Sequence, residues 1–308
     1  MKFKDLNIIS MKDFTRETID HILNTAEKLE PVARGVEKSD ILDGKVLSLL
    51  FFEPSTRTRM SFETAMIRLG GRVLNLGSVE ASSIAKGETL ADTIRVVEGY
   101  SDAIVLRHPK EGSARMASEL VSVPIINGGD GAGHHPTQTF LDLYTIRRES
   151  HLDGVKIALA GDLKYGRTVH SLCYALSLYG AEITLVSPKE LRMPDEIIYD
   201  LKRRNIKVTQ TDSIEEAIHD VEVLYVTRIQ KERFPDPAEY QKVASSLLIT
   251  PQLLEKANPK LKIMHPLPRI NEIDPRVDDT DHACYFNQSF YGVPVRMALL
   301  ALVMGVLE

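Results

Sequence analysis

The segment 55–59, Ser-Thr-Arg-Thr-Arg, is the strongest candidate for chemistry in this chain, because it follows an apolar run and opens directly into a predicted helix. Unpaired backbone N–H groups give a helix start partial positive charge, so Arg57 and Arg59 are unfavourable there unless an anion joins them. Backbone N–H groups, three hydroxyls and a guanidinium fork together suit a phosphate. The competing interpretation is a helix capped by Ser55 with solvated arginines.

Two more polar loops follow apolar runs in the first half of the chain. Arg107 begins an Arg-His-Pro segment and could turn its guanidinium toward the same crevice, although a single arginine at a strand end is usually solvated. The glycine-rich segment 128–138 permits close backbone approach and ends with His135 and Gln138, three residues apart. These two side chains could face the crevice together, or His135 could merely cap a helix while Gln138 lies on the surface.

The second half of the chain repeats this pattern. The segment 161–168 places Arg167 at a predicted helix start and so indicates a second anion. Arg228 and Gln230 lie two residues apart and share one side of an extended backbone, although a solvated charge run explains them slightly better. The segment 264–269, Met-His-Pro-Leu-Pro-Arg, is either a rigid turn whose carbonyls line a site or simple strand termination.

The segment 81–89, which carries Ser82 and Lys86, is small and polar and is typical of a mobile loop. A lysine in such a loop is usually only solvated, so the residues alone assign it no chemistry.

Short β-rich runs alternate with helical patterns from residue 46 onward, which predicts a parallel α/β architecture of two doubly wound sheets. Ligands in such folds bind beyond the carboxyl ends of the strands, where the polar loops lie. The predicted strands are 46–52, 72–76, 102–107 and 123–127, then 155–160, 182–186, 206–211, 222–226 and 262–264. The predicted helices are 61–69, 89–99, 113–120, 136–148, 168–179, 195–204, 213–219 and 295–307.

A chain of 308 residues favours two domains, because single cores stop growing at roughly 250 to 300 residues. We predict a first domain of residues 1–135 and 289–308 and a second of residues 150–288. A connecting helix, 136–149, joins them, with Pro136 suited to its first position. The C-terminal helix is expected to pack back against the first domain.

Composition excludes several classes of protein. A net charge of -5 and a pI near 6.0 give no bulk reason to bind nucleic acid. Only Cys173 and Cys284 are present, far apart and outside any CxxC pair, which argues against a structural metal site or a disulfide scaffold and fits a reducing cytoplasm. We see no secretory signal in residues 1–14, and the apolar run 298–307 is about half a membrane span. We therefore expect no membrane partner.

Five motifs together resemble those of the carbamoyltransferase family. They are Phe-Glu-Pro-Ser-Thr-Arg-Thr-Arg at 52–59, Lys-Gly-Glu-Thr at 86–89, Arg-His-Pro at 107–109, His-Pro-Thr-Gln at 135–138 and His-Pro-Leu-Pro at 265–268. The set spans nearly the whole chain in order. The segments 161–171 and 227–233 resemble the aspartate-specific branch of that family.

The resemblance implies transfer of a carbamoyl group from carbamoyl phosphate to L-aspartate, early in pyrimidine biosynthesis, without a cofactor or metal. The first domain would bind carbamoyl phosphate and the second aspartate. Carbamoyl phosphate is expected on Ser55, Thr56, Arg57, Thr58, Arg107, His135 and Gln138. Aspartate is expected on Lys86, Arg167, Arg228, Gln230, Leu267 and Pro268, and the catalytic residues would be Arg57, Thr58, Lys86, Arg107 and His135.

The resemblance also implies a homotrimer with shared sites, because in that family the loop carrying Ser82 and Lys86 reaches the active site of a neighbouring subunit. Whether separate regulatory chains join such a trimer into a larger holoenzyme cannot be read from this sequence.

Three alternatives compete with this interpretation. An ornithine carbamoyltransferase usually has cysteine where this chain has Pro266, and a cationic acceptor fits poorly beside Arg167 and Arg228. A non-catalytic paralogue should have lost a key side chain such as Arg57 or Lys86, and none is missing. A nicotinamide dehydrogenase requires a glycine fingerprint that is absent here.

Overall fold

The computed structural model describes residues 3–77, 83–229 and 247–308, and the chain forms two compact units. The first comprises Met1–Leu141 and Phe290–Glu308, and the second comprises Asp142–Ser289. Each contains one sheet whose strands are all parallel. The predicted fold class, two doubly wound parallel sheets with a C-terminal helix that returns to the first domain, is confirmed.

The first unit is built on a four-stranded sheet in the order β2-β1-β3-β4. Its strands are β1 (Val46–Phe51), β2 (Arg72–Asn75), β3 (Ala103–His108) and β4 (Ile125–Asp130). Its helices are α1 (Arg16–Ala33), α2 (Thr56–Arg68), α3 (Leu90–Glu98), α4 (Ser113–Leu120) and the first part of α5 (Pro136–Glu149). The four consecutive residues at the start of β3 are all buried, as expected of a parallel strand covered on both faces.

The second unit has a five-stranded sheet in the order β7-β6-β5-β8-β9. Its strands are β5 (Lys156–Ala160), β6 (Glu182–Val186), β7 (Val208–Thr211), β8 (Val223–Val226) and β9 (Lys262–Met264). Its helices are the second part of α5, then α6 (Arg167–Ser177), α7 (Asp195–Arg203), α8 (Ile214–Ala217), α9 (Pro251–Leu254) and the start of α10 (Tyr285–Val303). In each sheet the chain first adds strands on one side of its first strand, β1 or β5, and then adds the remaining strands on the other side. This switch in strand order opens a crevice at the carboxyl edge of the sheet.

The C-terminal helix α10 is longer than predicted, since it begins at Tyr285 rather than at Val295 and contains Pro294. Proline is normally a helix-ending signal, which explains the late predicted start. The later part of α10 belongs to the first unit, where the Asp5 amide donates to the Val303 carbonyl at 2.9 Å. Residues 295–303 are all buried, and all but Arg296 are apolar, as expected of a helix that is covered on every side.

The predictions omitted helix α1, although its signal was present. Ile19, Ile22, Leu23 and Ala26 follow the i, i+3, i+4, i+7 spacing and are fully buried. Thr15 caps the helix, because its hydroxyl accepts from the Thr18 amide. Among the described residues, no helix is long and apolar enough to cross a membrane.

Candidate active site

Three loops of the first unit leave the carboxyl edge of its sheet side by side. Phe51 at the end of β1 pairs with Arg107 in β3, and His108 at the end of β3 pairs with Asp130 at the end of β4. The loops that follow these strands are the ones in which the sequence predicts an anion site. This edge is where open α/β sheets bind ligands.

The start of α2 has the features of an anion site. Thr56 is its first residue, and Ser55 occupies the N-cap position without a side-chain capping hydrogen bond. The alternative in which Ser55 merely caps the helix is therefore wrong. The first turn holds no acidic residue, and Thr58 within it is buried. The positive end of the helix therefore has no carboxylate in its first turn to balance it.

Arg57 and Arg107 add two guanidinium charges to this region. Arg107 Nη1 donates to the Gly128 carbonyl at 2.9 Å, while its Nε lies 3.5 Å from Glu53 Oε2 and forms no hydrogen bond. Burial lowers the pKa of Arg107 most, the Glu53 carboxylate opposes that shift, and the charge of Arg57 adds to it. The two guanidinium groups thus repel each other, and a bound anion would relieve that repulsion.

The loop after β4 is held by two buried polar residues, Asn127 and Asp130. Asp130 Oδ1 accepts from the His134 amide at 2.6 Å and from Asn127 Nδ2 at 3.1 Å, and Oδ2 accepts from the Gly112 amide at 2.9 Å. Because of these bonds β4 continues through two glycines to Asp130, so the loop is shorter than the predicted segment 128–138. This network was not predicted, although the acid among glycines was visible.

Gly131 shows why this loop is rich in glycine. Its φ is 51°, and a Cβ there would lie only 2.4 Å from the Pro109 carbonyl oxygen. The two neighbouring loops are therefore in backbone contact, which only glycine permits here.

His135 directly precedes α5, and Gln138 lies in the first turn of that helix. The His135 carbonyl accepts from the Gln138 amide at 3.0 Å, so the His135 backbone starts the helix. Its imidazole is buried, with Nδ1 3.4 Å from the Thr137 hydroxyl, and Gln138 is half-buried. Both side chains belong to the unit that carries Arg57 and Arg107. Their roles toward a ligand stay predictions.

Lys86 ends a short 3-10 helix, Ser83–Lys86, and its side chain is exposed. No hydrogen bond or ion pair joins it to another residue that the structure describes. Ser82, predicted to act with it, lies outside the described residues.

The second unit brings together the loops that follow β5, β8 and β9. Ala160 pairs with Val226, and Tyr225 pairs with Met264. A Cβ on Gly161 would lie 2.2 Å from the Thr227 carbonyl oxygen, so the loops after β5 and β8 are in direct backbone contact.

Arg167 and Arg228 are placed by these two loops. Arg167 is the first residue of α6, and Arg228 follows the end of β8; both are half-buried. His170 Nε2 donates to the Leu163 carbonyl at 2.8 Å and so holds the first turn of α6 against its own loop. Burial lowers the pKa of His170, which keeps this imidazole neutral near pH 7. Gln230, predicted beside Arg228, lies outside the described residues.

The Leu267–Pro268 turn after β9 has a cis peptide bond, and Leu267 has a φ of 53°. The buried His265 supports it, since its Nδ1 accepts from the Leu267 amide at 2.8 Å and its Nε2 lies 2.7 Å from Glu272 Oε1. Burial opposes ionisation of Glu272, but hydrogen bonds from His265 and from the backbone outweigh it and lower the pKa of Glu272. Glu272 was not among the predicted site residues.

A second ion pair anchors the end of this turn. Arg269 pairs with Asp278, which also accepts a hydrogen bond from the Tyr285 hydroxyl. The hydrogen bonds that Arg269 donates to Asp278 raise the pKa of Arg269, and the same contact lowers the pKa of Asp278. The turn is thereby tied to the start of α10.

Neither cysteine has the character of a nucleophile. Both are buried and unpaired, and burial raises the pKa of the Cys173 thiol to about 12. Among the described residues, no three His, Cys, Asp or Glu side chains are grouped as metal ligands.

Comparison with known proteins identifies the family. Residues 6–148 match the carbamoyl-P binding domain of aspartate/ornithine carbamoyltransferase, and residues 153–303 match its Asp/Orn binding domain. The aspartate carbamoyltransferase catalytic subunits of Methanococcoides burtonii and Methanosarcina acetivorans are 80% and 72% identical over the whole of both chains.

Solved structures agree with this assignment. The catalytic subunit of M. jannaschii aspartate transcarbamoylase is 58% identical with a TM-score of 0.90, and 97% of each chain is covered. Aspartate transcarbamoylase from Trypanosoma cruzi, in complex with carbamoyl phosphate and aspartate, is 42% identical with a TM-score of 0.93 over 98% of each chain. This chain therefore belongs to the aspartate/ornithine carbamoyltransferase family, in the branch of the aspartate carbamoyltransferase catalytic subunits.

Proposed function

We propose that this chain transfers the carbamoyl group of carbamoyl phosphate to the α-amino group of L-aspartate, giving N-carbamoyl-L-aspartate and phosphate. The observation that carries the proposal is the start of α2, where the first turn is free of acids and Ser55 makes no side-chain cap, while the half-buried Arg107 lies in the neighbouring strand. The relatives named above, including one solved with both substrates, support the same reaction. The reaction is an early step of pyrimidine biosynthesis.

In this proposal the phosphate of carbamoyl phosphate sits on the start of α2. Backbone N–H groups and the hydroxyls of Ser55, Thr56 and Thr58 donate to its oxygens, and Arg57 and Arg107 supply the charge.

The carbamoyl end meets Thr58, Arg107, His135 and Gln138. The aspartate amine attacks the carbonyl carbon, so that a C–N bond forms and negative charge builds on the carbonyl oxygen. Hydrogen-bond donors that the fold holds in place stabilise that charge. The C–O bond to phosphate then breaks, the phosphate leaves with the electron pair, and it takes the proton that the amine loses.

The two carboxylates of aspartate require two cationic partners, which Arg167 and Arg228 provide. Gln230 acts beside Arg228, and the backbone of Leu267 and Pro268 holds the α-amino side. The structure supports this because the loops carrying the two arginines leave adjacent strands and are in backbone contact.

We place Lys86 in the active site of a neighbouring subunit, together with Ser82, in a homotrimer. Its exposed position without a partner among the described residues supports this arrangement. Three exposed apolar side chains on neighbouring elements are also available for such a contact, Met60 and Ile67 in α2 and Leu74 in the edge strand β2, which are 57%, 59% and 46% exposed.

The cytoplasm is the proposed location, since two unpaired buried thiols persist in a reducing compartment. Regulatory chains that join the trimer into a larger holoenzyme belong to the same proposal, supported by relatives named as catalytic subunits.

Calorimetric titration with inorganic phosphate, a product of the reaction, tests the phosphate site. The wild type should bind it, and Arg57→Ala should weaken binding at least tenfold. Lys28→Ala, which removes an exposed cation of α1 in the same unit, is the matched control and should bind like the wild type. Equal binding by Arg57→Ala and the wild type would contradict the proposed site.

A further inference from the structure

Behind the Leu267–Pro268 turn lies a set of buried polar side chains that the proposed reaction does not use. We call it the buried network; each member is at most 9% exposed, and the members are Asp142, Tyr225, His265, Glu272 and Gln288. All five belong to the second unit.

The network begins at Glu272. The Leu267 amide donates to His265 Nδ1 at 2.8 Å, so Nδ1 carries no proton and the imidazole proton is on Nε2. Nε2 therefore donates to Glu272 Oε1 at 2.7 Å. The other oxygen, Oε2, accepts from the amides of Ile270 and Asn271 at 3.1 and 3.0 Å. The Glu272 carboxylate thus holds the start of the turn through the His265 imidazole and the residues after the turn directly.

Gln288 carries the network onward. Its Oε1 accepts from the His265 amide at 2.8 Å, and its Nε2 donates to Asp142 Oδ1 at 2.8 Å. Asp142 Oδ2 accepts from the Tyr225 hydroxyl at 2.9 Å. Each of these hydrogen bonds has a fixed direction, so the orientation of the Gln288 amide is determined.

The positions of these residues in the fold indicate what the network holds. Tyr225 is in β8, the strand that leads to Arg228, and His265 directly follows β9. Asp142 in α5 and Gln288 in α10 lie at the two places where the chain passes from one unit to the other. The network therefore joins the two segments expected to bind aspartate to the two helices that continue into the first unit.

Stability alone does not account for such a network, because a buried carboxylate is costly to desolvate and apolar residues of similar volume often serve a core as well. A directional network specifies the positions of the groups it joins. We propose that Glu272 and Asp142 are positioning residues for aspartate, an inference that rests on the proposed function. Glu272 fixes the Leu267–Pro268 turn through His265. Asp142 fixes the strand before Arg228 through Tyr225.

Glu272→Gln is the first test. An amide cannot accept from His265 and from the two backbone N–H groups together, so the turn loosens. We expect the KM for aspartate to rise about tenfold or more while the KM for carbamoyl phosphate stays within twofold. Asp279→Asn makes the same chemical change at an exposed carboxylate of the same segment and should leave both constants unchanged. An unchanged KM for aspartate, or an equal rise in both constants, overturns the role of Glu272.

An exchange of two side chains is the second test. In Gln288→Glu two carboxylates face each other. In Asp142→Asn the new amide either meets the Gln288 amide donor to donor, or accepts from Gln288 and donates to the Tyr225 hydroxyl, which reverses the second hydrogen bond. The double variant restores every hydrogen bond within the pair, because the amide at position 142 would donate to the carboxylate at position 288 and accept from Tyr225. We expect Gln288→Glu to raise the KM for aspartate at least fivefold, Asp142→Asn to raise it less, and the double variant to return it to within twofold of the wild type.

If the thermal unfolding midpoint of the double variant is restored but its KM for aspartate stays raised, the role of Asp142 is overturned. The exchange also covers the case in which Glu272→Gln does not fold, since the double variant keeps all bonds of the network. Absence of carbamoyl-aspartate from the wild type would instead refute the proposed function, so the two failures are distinguishable.

Discussion

Replacement of Arg107 by alanine tests the electrostatic argument most sharply. The guanidinium has five N–H donors, and within the described residues one of them is used on the Gly128 carbonyl, so most of the fork is available to a ligand. Loss of one donor to a developing oxyanion costs about 10²- to 10³-fold in kcat, or roughly 2.7–4 kcal/mol. Arg107 would also contact the phosphate, so the upper part of that range is expected.

The cost of the same change to folding should be smaller. The structural loss is one hydrogen bond to Gly128 and a weak ion pair with Glu53, worth about 1 kcal/mol net. Arg107→Lys keeps the charge, but a single ammonium group cannot hold the carbonyl and the ligand in the same geometry, so its turnover should fall between wild type and alanine.

Colorimetric measurement of carbamoyl-aspartate at saturating substrates gives kcat, and circular dichroism on heating reports the fold. A kcat for Arg107→Ala within threefold of the wild type, in a protein that unfolds normally, would refute the assignment of Arg107. The Lys28→Ala variant again serves as the control for loss of a surface cation.

Three further predictions concern assembly, backbone and pH. Mixing inactive Lys86→Ala with inactive Arg57→Ala subunits should restore part of the activity if sites are shared; no recovery in mixed trimers shown to form would count against sharing. Gly131→Ala should lower the free energy of unfolding by about 2–3 kcal/mol in denaturant titration, because it adds a backbone clash to a left-handed φ, whereas Gly154→Ala, also left-handed but in open space, should cost only about 1 kcal/mol. The pKa of Glu272 is lower in the folded chain than its ordinary value, so its contribution to stability is present above that ordinary value and is lost as pH falls through the folded one. Thermal unfolding at pH 3 to 5 should therefore depend less on pH in Glu272→Gln, and identical pH profiles would contradict this.

Much of the fold could be predicted because buried parallel strands leave a plain signal. The strands β6 and β9 and the helix α4 have their predicted bounds, since each is an uninterrupted pattern between clear breaks. Local sequence rules gave the wrong bounds where tertiary packing decides the secondary structure. Pro294 is a helix-ending residue that lies inside α10, and Gly128 and Gly129 lie inside β4 because buried side chains hold that backbone.

The residues of the candidate site likewise fall into those with a local sequence signal and those without one. Charged groups such as Arg57 and Arg167 were visible from sequence, because an arginine at a helix start is electrostatically unusual. Their supporting residues were not, since Glu272 and Asp130 are ordinary acids until the fold brings them to backbone amides. Hydrogen-bond partners far apart in the chain leave no local pattern.

The measurement that tests the central claim most directly is carbamoylation by the purified chain with carbamoyl phosphate as donor and either L-aspartate or L-ornithine as acceptor. The account predicts product from L-aspartate alone, because the proposed roles of Arg167 and Arg228 are to bind two carboxylates, and both would repel a cationic side chain. Product from L-ornithine, or from neither acceptor, would contradict it.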